Sequence, residues 1–125
     1  MAHVVQLSDL LRPGQTTRTV RFEGADFDAG TSFFVVDSDP GQRVGLHWHP
    51  YSETWIVLEG EVTFRLGDGV GEETDTDVAE EIAGAGTIVV VPTCQHHGFT
   101  NTGAGALRMV CVHAAPRMIQ YDLED

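Results

Sequence analysis

Gly41-Gln42-Arg43-Val44-Gly45-Leu46-His47-Trp48-His49-Pro50-Tyr51-Ser52-Glu53 holds two histidines one residue apart, a proline after the second, and a glutamate four residues beyond it. On a β-strand, residues i and i+2 point to the same face, so His47 and His49 project together. Pro50 ends the strand, and a short turn lets Glu53 project from the next strand toward the same point. Two neutral imidazoles and a carboxylate converging on one spot make a divalent transition-metal site.

A further donor is expected from Pro92-Thr93-Cys94-Gln95-His96-His97-Gly98-Phe99-Thr100-Asn101. Adjacent residues of a strand face opposite ways. With His97 inward, Phe99 and Asn101 share its face. With His96 inward, the partners would be Gly98 and Thr100, a poorer core. Parity therefore favours His97. His96 then either supports His97 from behind or faces solvent.

The rest of the chain reads as β. Strands are expected near 17–22, 31–37, 43–49, 53–59, 61–67, 78–82, 87–91, 95–101, 106–113 and 118–121, separated by turn-formers such as Asp39-Pro40-Gly41 and Gly60. Residues 1–16 form an N-terminal arm, with Ser8 as cap of one helical turn over Asp9-Leu10-Leu11. No segment keeps a 3.6-residue apolar period. Many short punctuated strands predict an antiparallel sandwich or barrel. Phe33–Val36, Trp55–Leu58 and Ile88–Val91 are apolar on both faces. One face fills the barrel. The other meets a second subunit, predicting a homodimer, or is covered by the arm and loops.

The sequence resembles the cupin superfamily, in particular its small single-domain members. The first cupin signature falls on Gly41, His47, His49, Glu53 and Gly60 without departure. The second falls on Gly86, Pro92, His97 and Asn101, with Cys94 where the family usually has glycine. That departure is expected to put a thiol near the barrel mouth. The resemblance implies one all-β domain over residues 1–125, a double-sheet jelly-roll barrel whose conserved core runs over 31–115, with the arm and first strand in 1–30. It implies His47, His49, Glu53 and His97 as ligands of one divalent transition metal ion. Imidazole suits Fe, Mn, Ni, Zn, Cu and Co alike, so the donors do not choose among them.

Composition narrows the partners. The 125 residues carry a net charge of −12, and all seven basic residues are arginine. Without lysine there is no Schiff-base chemistry and no P-loop lysine. The acidic balance argues against nucleic acid and anionic membranes. Two cysteines, Cys94 and Cys111, do not make a disulfide framework. The N-terminus does not read as a signal peptide and no apolar run would span a bilayer, so a cytoplasmic protein is expected. The run 68–81, with seven acids and no base, lacks EF-hand spacing and reads as a solvated hairpin loop.

Parity also outlines a pocket. Glu53 inward brings Trp55 and Val57 with it, and Val62, Phe64 and Leu66 suit the inner face of the next strand. In Leu107–His113 the odd residues are the better inner set, because the even set would bury Arg108. Trp55, Phe64, Phe99, Asn101, Met109 and Cys111 are therefore candidate pocket residues. His113 is a candidate general acid/base, or else a strand-end histidine bonded to backbone. Arg43 shares the parity of His47 and reaches either a substrate carboxylate at the mouth or solvent. Three histidines and one carboxylate leave an octahedral ion with positions for a small anionic or enolisable oxygen donor. Resemblance to cupin dioxygenases makes a metal-dependent dioxygenase the leading expectation, ahead of an isomerase or lyase. A non-catalytic metal- or ligand-binding sensor is the competing class.

Overall fold

Ten strands account for the architecture of the computed structural model, which describes residues 2–124. They are β1 (Val20–Phe22), β2 (Ser32–Ser38), β3 (Arg43–Trp48), β4 (Glu53–Glu59), β5 (Glu61–Val70), β6 (Val78–Gly84), β7 (Ile88–Val91), β8 (Gln95–Asn101), β9 (Leu107–His113) and β10 (Tyr121–Asp122). They form two five-stranded antiparallel sheets, ordered β1-β2-β9-β4-β7 and β10-β3-β8-β5-β6. Only the β1–β2 and β5–β6 connections stay within one sheet. Every other connection crosses between sheets, which makes a double-sheet jelly roll. No α-helix occurs among the described residues.

The period-two pattern builds the interior. Trp55 and Val57 of β4, Val62 and Phe64 of β5, Phe99 of β8, and Leu107, Met109 and Cys111 of β9 are all buried in one cluster. The Trp55 and Phe64 rings stack at 4.8 Å across the two sheets. Each large buried side chain contributes about 1.5–3 kcal/mol through area removed from water. Gly60 turns β4 into β5 at φ +92, and a Cβ there would lie 2.4 Å from the Ala106 carbonyl oxygen, so a side chain is excluded on both counts.

The outer face of the first sheet is half covered. Over β1 and β2, Phe22 stacks on Phe27 and Phe33, and Val5, Leu7 and Leu10 of the arm line a groove against these rings. Over β4 and β7, Leu58, Ile88 and Val90 stay exposed. After β9 the chain crosses to the second sheet. There β10 pairs with β3, Tyr121 opposite Trp48 and Asp122 opposite His47. The Glu124 carboxylate accepts from the Leu46 N–H at 3.0 Å and pairs with Arg65.

Several sequence expectations are corrected. The first strand begins at Val20, and Thr17 and Thr19 instead line the inner cavity. The last strand is only Tyr121–Asp122. The arm's helical turn is a 3-10 turn, Leu7–Leu10, with Ser8 inside it; the Asp9 carboxylate accepts from the Gln6 N–H. A second 3-10 turn spans Gly24–Phe27. The acidic run is only half loop: β5 extends to Val70 and β6 starts at Val78, leaving residues 71–77 as the hairpin loop. His96 is neither solvated nor behind His97. It is 1% exposed, its Nε2 lies 2.7 Å from the Gly71 carbonyl oxygen, and Gly67 and Gly69 make room for it. Its ring ties the β5–β6 hairpin to β8.

Cys94 sits in the β7–β8 turn at φ 68, half-buried and outside the residues that line the cavity. Its N–H donates to the His49 carbonyl at 3.0 Å. A side chain at this φ costs roughly 1–2 kcal/mol, and the extra unfolded-state freedom of glycine offsets part of that. Cys94→Gly is expected to raise Tm by a few degrees, measured by thermal denaturation; a lower Tm contradicts the strain argument.

Candidate metal centre

His47 comes from β3, His49 from the residue just beyond β3, Glu53 from the first position of β4, and His97 from β8. All four are buried, and one donor atom from each lies within 4.8 Å of the others. Glu53 Oε1 is 3.0 Å from both His49 Nε2 and His97 Nε2. The two Nε2 atoms are 3.2 Å apart.

A β-bulge sets this geometry. Arg43 pairs with Thr100 and Val44 with Phe99, but His47 pairs with His97. One-for-one pairing would have placed His47 opposite His96. The extra residue on β3 rotates His47 onto the inner face. It also turns Val44 inward instead of Gly45, overturning simple parity from Arg43 to His47. Gly98 lies against the bulge, where a Cβ would be 2.7 Å from the Val44 carbonyl oxygen.

The tautomers follow from the partners. His47 Nδ1 is 2.7 Å from the Gly45 carbonyl oxygen, and His97 Nδ1 is 2.7 Å from that of Gln95. A carbonyl oxygen only accepts, so each Nδ1 carries the proton and each Nε2 presents a lone pair to the centre. His49 Nδ1 faces the Tyr51 carbonyl at a longer 3.4 Å. Burial lowers the His47 pKa to about 4, and nearby His97 adds to the effect. For Glu53, burial acts to raise the pKa, but hydrogen bonding, from His113 foremost, outweighs it and holds the carboxyl well below its usual range. His47 is thus neutral and Glu53 ionised near pH 7, their metal-binding forms. Electron-rich atoms this close in a buried site need a cation between them, and the donor set fits one divalent transition ion.

A cavity of about 280 Å³ leads to these residues. His47, Glu53 and His113 mark its buried end, while exposed Arg43 and Gln120 mark its mouth. Phe34, Val36, Trp55 and Phe99 form apolar walls. Of the candidate pocket residues, Trp55, Phe99 and Cys111 line the cavity. Phe64 and Met109 do not. They close the core at a different depth, Phe64 behind the Trp55 ring. Asn101 is also outside: its amide donates to the Ser38 and Gly105 carbonyls and its oxygen accepts from the Gly103 N–H, fixing the β8–β9 turn. The Arg43 guanidinium lies 3.6 Å from Glu124. Burial raises the Cys111 pKa well above its usual value, with the Glu53 charge adding to it, so the residue remains a neutral thiol.

Glu53 Oε2 has its own partners. Trp55 Nε1 donates to it at 2.7 Å, and His113 Nε2 lies 3.2 Å away. Tyr51 Oη is 2.7 Å from His113 Nδ1, and its ring stacks on His49 at 4.6 Å. The sequence reading did not single out Tyr51. The available signal was a tyrosine between two ligands, since a buried phenol seeks a hydrogen-bond partner.

The family model for the cupin domain matches residues 34–113. The chain belongs to the cupin family. A sequence comparison with curated proteins finds no match. Among solved structures, this cupin is similar to oxalate decarboxylase of Bacillus subtilis, a protein with Mn(II) centres, with TM-score 0.77 and 19% identity over 94% of this chain and 31% of that one. It is similar to an oxalate oxidase, with TM-score 0.75 and 19% identity over 97% of this chain and 63% of that one. It is also similar to Peruvianin-I, a cysteine peptidase from Thevetia peruviana latex, with TM-score 0.75 and 14% identity over 96% and 76%. The chain thus spans about a third of the decarboxylase and under two thirds of the oxidase. Among the described residues, no helix is long and apolar enough to cross a membrane.

Two outcomes follow for this cupin. His49→Ala should lose most bound metal and keep the β circular-dichroism signal; full occupancy in elemental analysis contradicts the ligand assignment. Metal-free protein should lose stability in acid. Between pH 6.5 and about 4 the unfolded chain takes up a proton at His47 that the folded chain refuses. Below the ordinary 4.5 of a glutamate the same holds at Glu53. Both terms make stability rise with pH, so denaturation from about pH 7 to about pH 5 should show a loss on the order of 2 kcal/mol; a flat profile contradicts the shifts.

Proposed function

We propose that this cupin is a metal-dependent enzyme of dioxygenase type, acting on a small anionic or enolisable molecule with an apolar or aromatic body. The observation that carries the reading is a complete, buried three-histidine, one-carboxylate donor set at the inner end of an apolar cavity of about 280 Å³. Four protein donors leave a six-coordinate ion room for substrate. A divalent ion against one carboxylate leaves about one net positive charge, which polarises or acidifies an oxygen donor and, in a redox-active metal, exchanges electrons with substrate and O₂.

The chain's own residues supply the rest. Phe34, Trp55 and Phe99 provide apolar walls that would bind a planar body and exclude water. Both ring nitrogens of His113 are engaged by Tyr51 and Glu53, which supports an orienting role over proton transfer to substrate. A solved complex of oxalate oxidase with the substrate analogue glycolate supports a small oxygen-donor anion as the class of ligand.

The test is anaerobic, tag-free purification and metal identification, then O₂ uptake by Fe²⁺-, Mn²⁺- and Ni²⁺-loaded protein with catechols, flavonols, β-diketones and thiols. Metal-dependent uptake with one of these supports the proposal. Tight binding without turnover replaces it with a sensing role. Conversion without O₂ replaces it with an isomerase or lyase.

A further inference from the structure

We infer that Tyr51 and His113 are positioning residues that hold Glu53 as a one-oxygen ligand of the metal. The inference rests on the metal-binding reading of His47, His49, Glu53 and His97. Glu53 divides its two oxygens between two environments. Oε1 faces the imidazole lone pairs at 3.0 Å. Oε2 faces Trp55 Nε1 at 2.7 Å and His113 Nε2 at 3.2 Å.

The contacts around Oε2 form a continuous chain of hydrogen-bonding groups. Indole N–H only donates. An ionised carboxylate only accepts, so His113 Nε2 carries a proton toward Oε2. The other ring nitrogen, Nδ1, faces the Tyr51 hydroxyl at 2.7 Å. The Tyr51 oxygen in turn accepts from the Ile119 N–H at 3.2 Å. Its 3.4 Å contact with the Ile119 carbonyl is too long to compete for the phenol hydrogen. The chain links the Ile119 N–H to the Tyr51 oxygen, the Tyr51 hydroxyl to His113 Nδ1, and His113 Nε2–H to Glu53 Oε2.

Two donors on Oε2 occupy the lone pairs that a chelating carboxylate would turn toward the ion. Two-oxygen binding requires displacing at least one of these donors in a buried site, where an unpaired polar group costs about 1–3 kcal/mol. Oε1 alone would therefore face a bound ion, with Oε2 held back by its two donors. Tyr51 is built for this task. It follows His49 by two residues, stacks on its ring with planes 10° apart, and is 8% exposed, so the phenol is fixed between two ligands.

The test uses the full chain loaded with Mn²⁺, read by chelator competition and by the fine structure of the Mn²⁺ electron paramagnetic resonance spectrum. Tyr51→Phe keeps the ring on His49 and removes only the hydroxyl. It should weaken Mn²⁺ binding roughly tenfold and alter the spectrum, with Tm measured alongside. His113→Phe should do at least as much, and adding Tyr51→Phe to it should change little more, because the two act as one chain. Unchanged affinity and spectrum in Tyr51→Phe overturn the inference, as do independent, additive effects. Tyr51→Phe decides it alone where His113→Phe fails to fold. Wild-type protein that takes up no ion in the same titration overturns the metal reading itself, a result distinct from both.

Discussion

Four electron-rich donor atoms buried within 4.8 Å of one another form the constraint on which the rest of this structure depends. Each prefers water to its neighbours, and each lone pair repels the next. A barrel that forces them together without a cation is weakened at its centre. The same cluster becomes an asset when a divalent ion supplies the missing charge. Metal affinity and fold stability are thus two readings of one arrangement.

The supports around the donors show how the chain manages that cost. Backbone carbonyls at Gly45 and Gln95 fix the proton of His47 and His97 on Nδ1. Each carbonyl lies two residues before its histidine, so local strand geometry sets the tautomer. The bulge in β3 is the non-local counterpart. It needs Gly98 opposite, because the β3 backbone approaches to within the radius of a side chain. Replacing either the bulge or the glycine would move His47 off the inner face.

Much of this was legible in the residues, and the failures share a cause. Ligand identities could be read because His47, His49 and Glu53 lie within seven residues and strand parity narrows the fourth to His97. Parity also placed Trp55, Cys111 and His113 on the inner face of the first sheet, whose β4–β9 pairing stays regular through those rows. It failed from Arg43 to His47, since one inserted residue reverses the face and leaves no compositional trace. It also could not assign depth. Phe64, Met109 and Asn101 lie on inner faces but not on the cavity, because period two reports which face a side chain takes and not how far along the barrel it sits. His96 was misread because the hairpin covering it comes from a distant stretch.

The fold itself does not select the chemistry, since oxalate enzymes and a cysteine peptidase share its outline. Selection falls to the few groups a ligand meets. A net charge of −12 repels anions at long range. The surface carboxylates, however, are screened over about 8 Å at physiological ionic strength, whereas an ion bound behind Phe34, Trp55 and Phe99 acts across low-dielectric walls with little screening. Arg43 at the mouth adds positive charge beside the Glu124 carboxylate. On the function proposed above, the local balance would favour an oxygen anion at the inner end even in a strongly acidic protein, and the apolar walls would select what that anion is attached to.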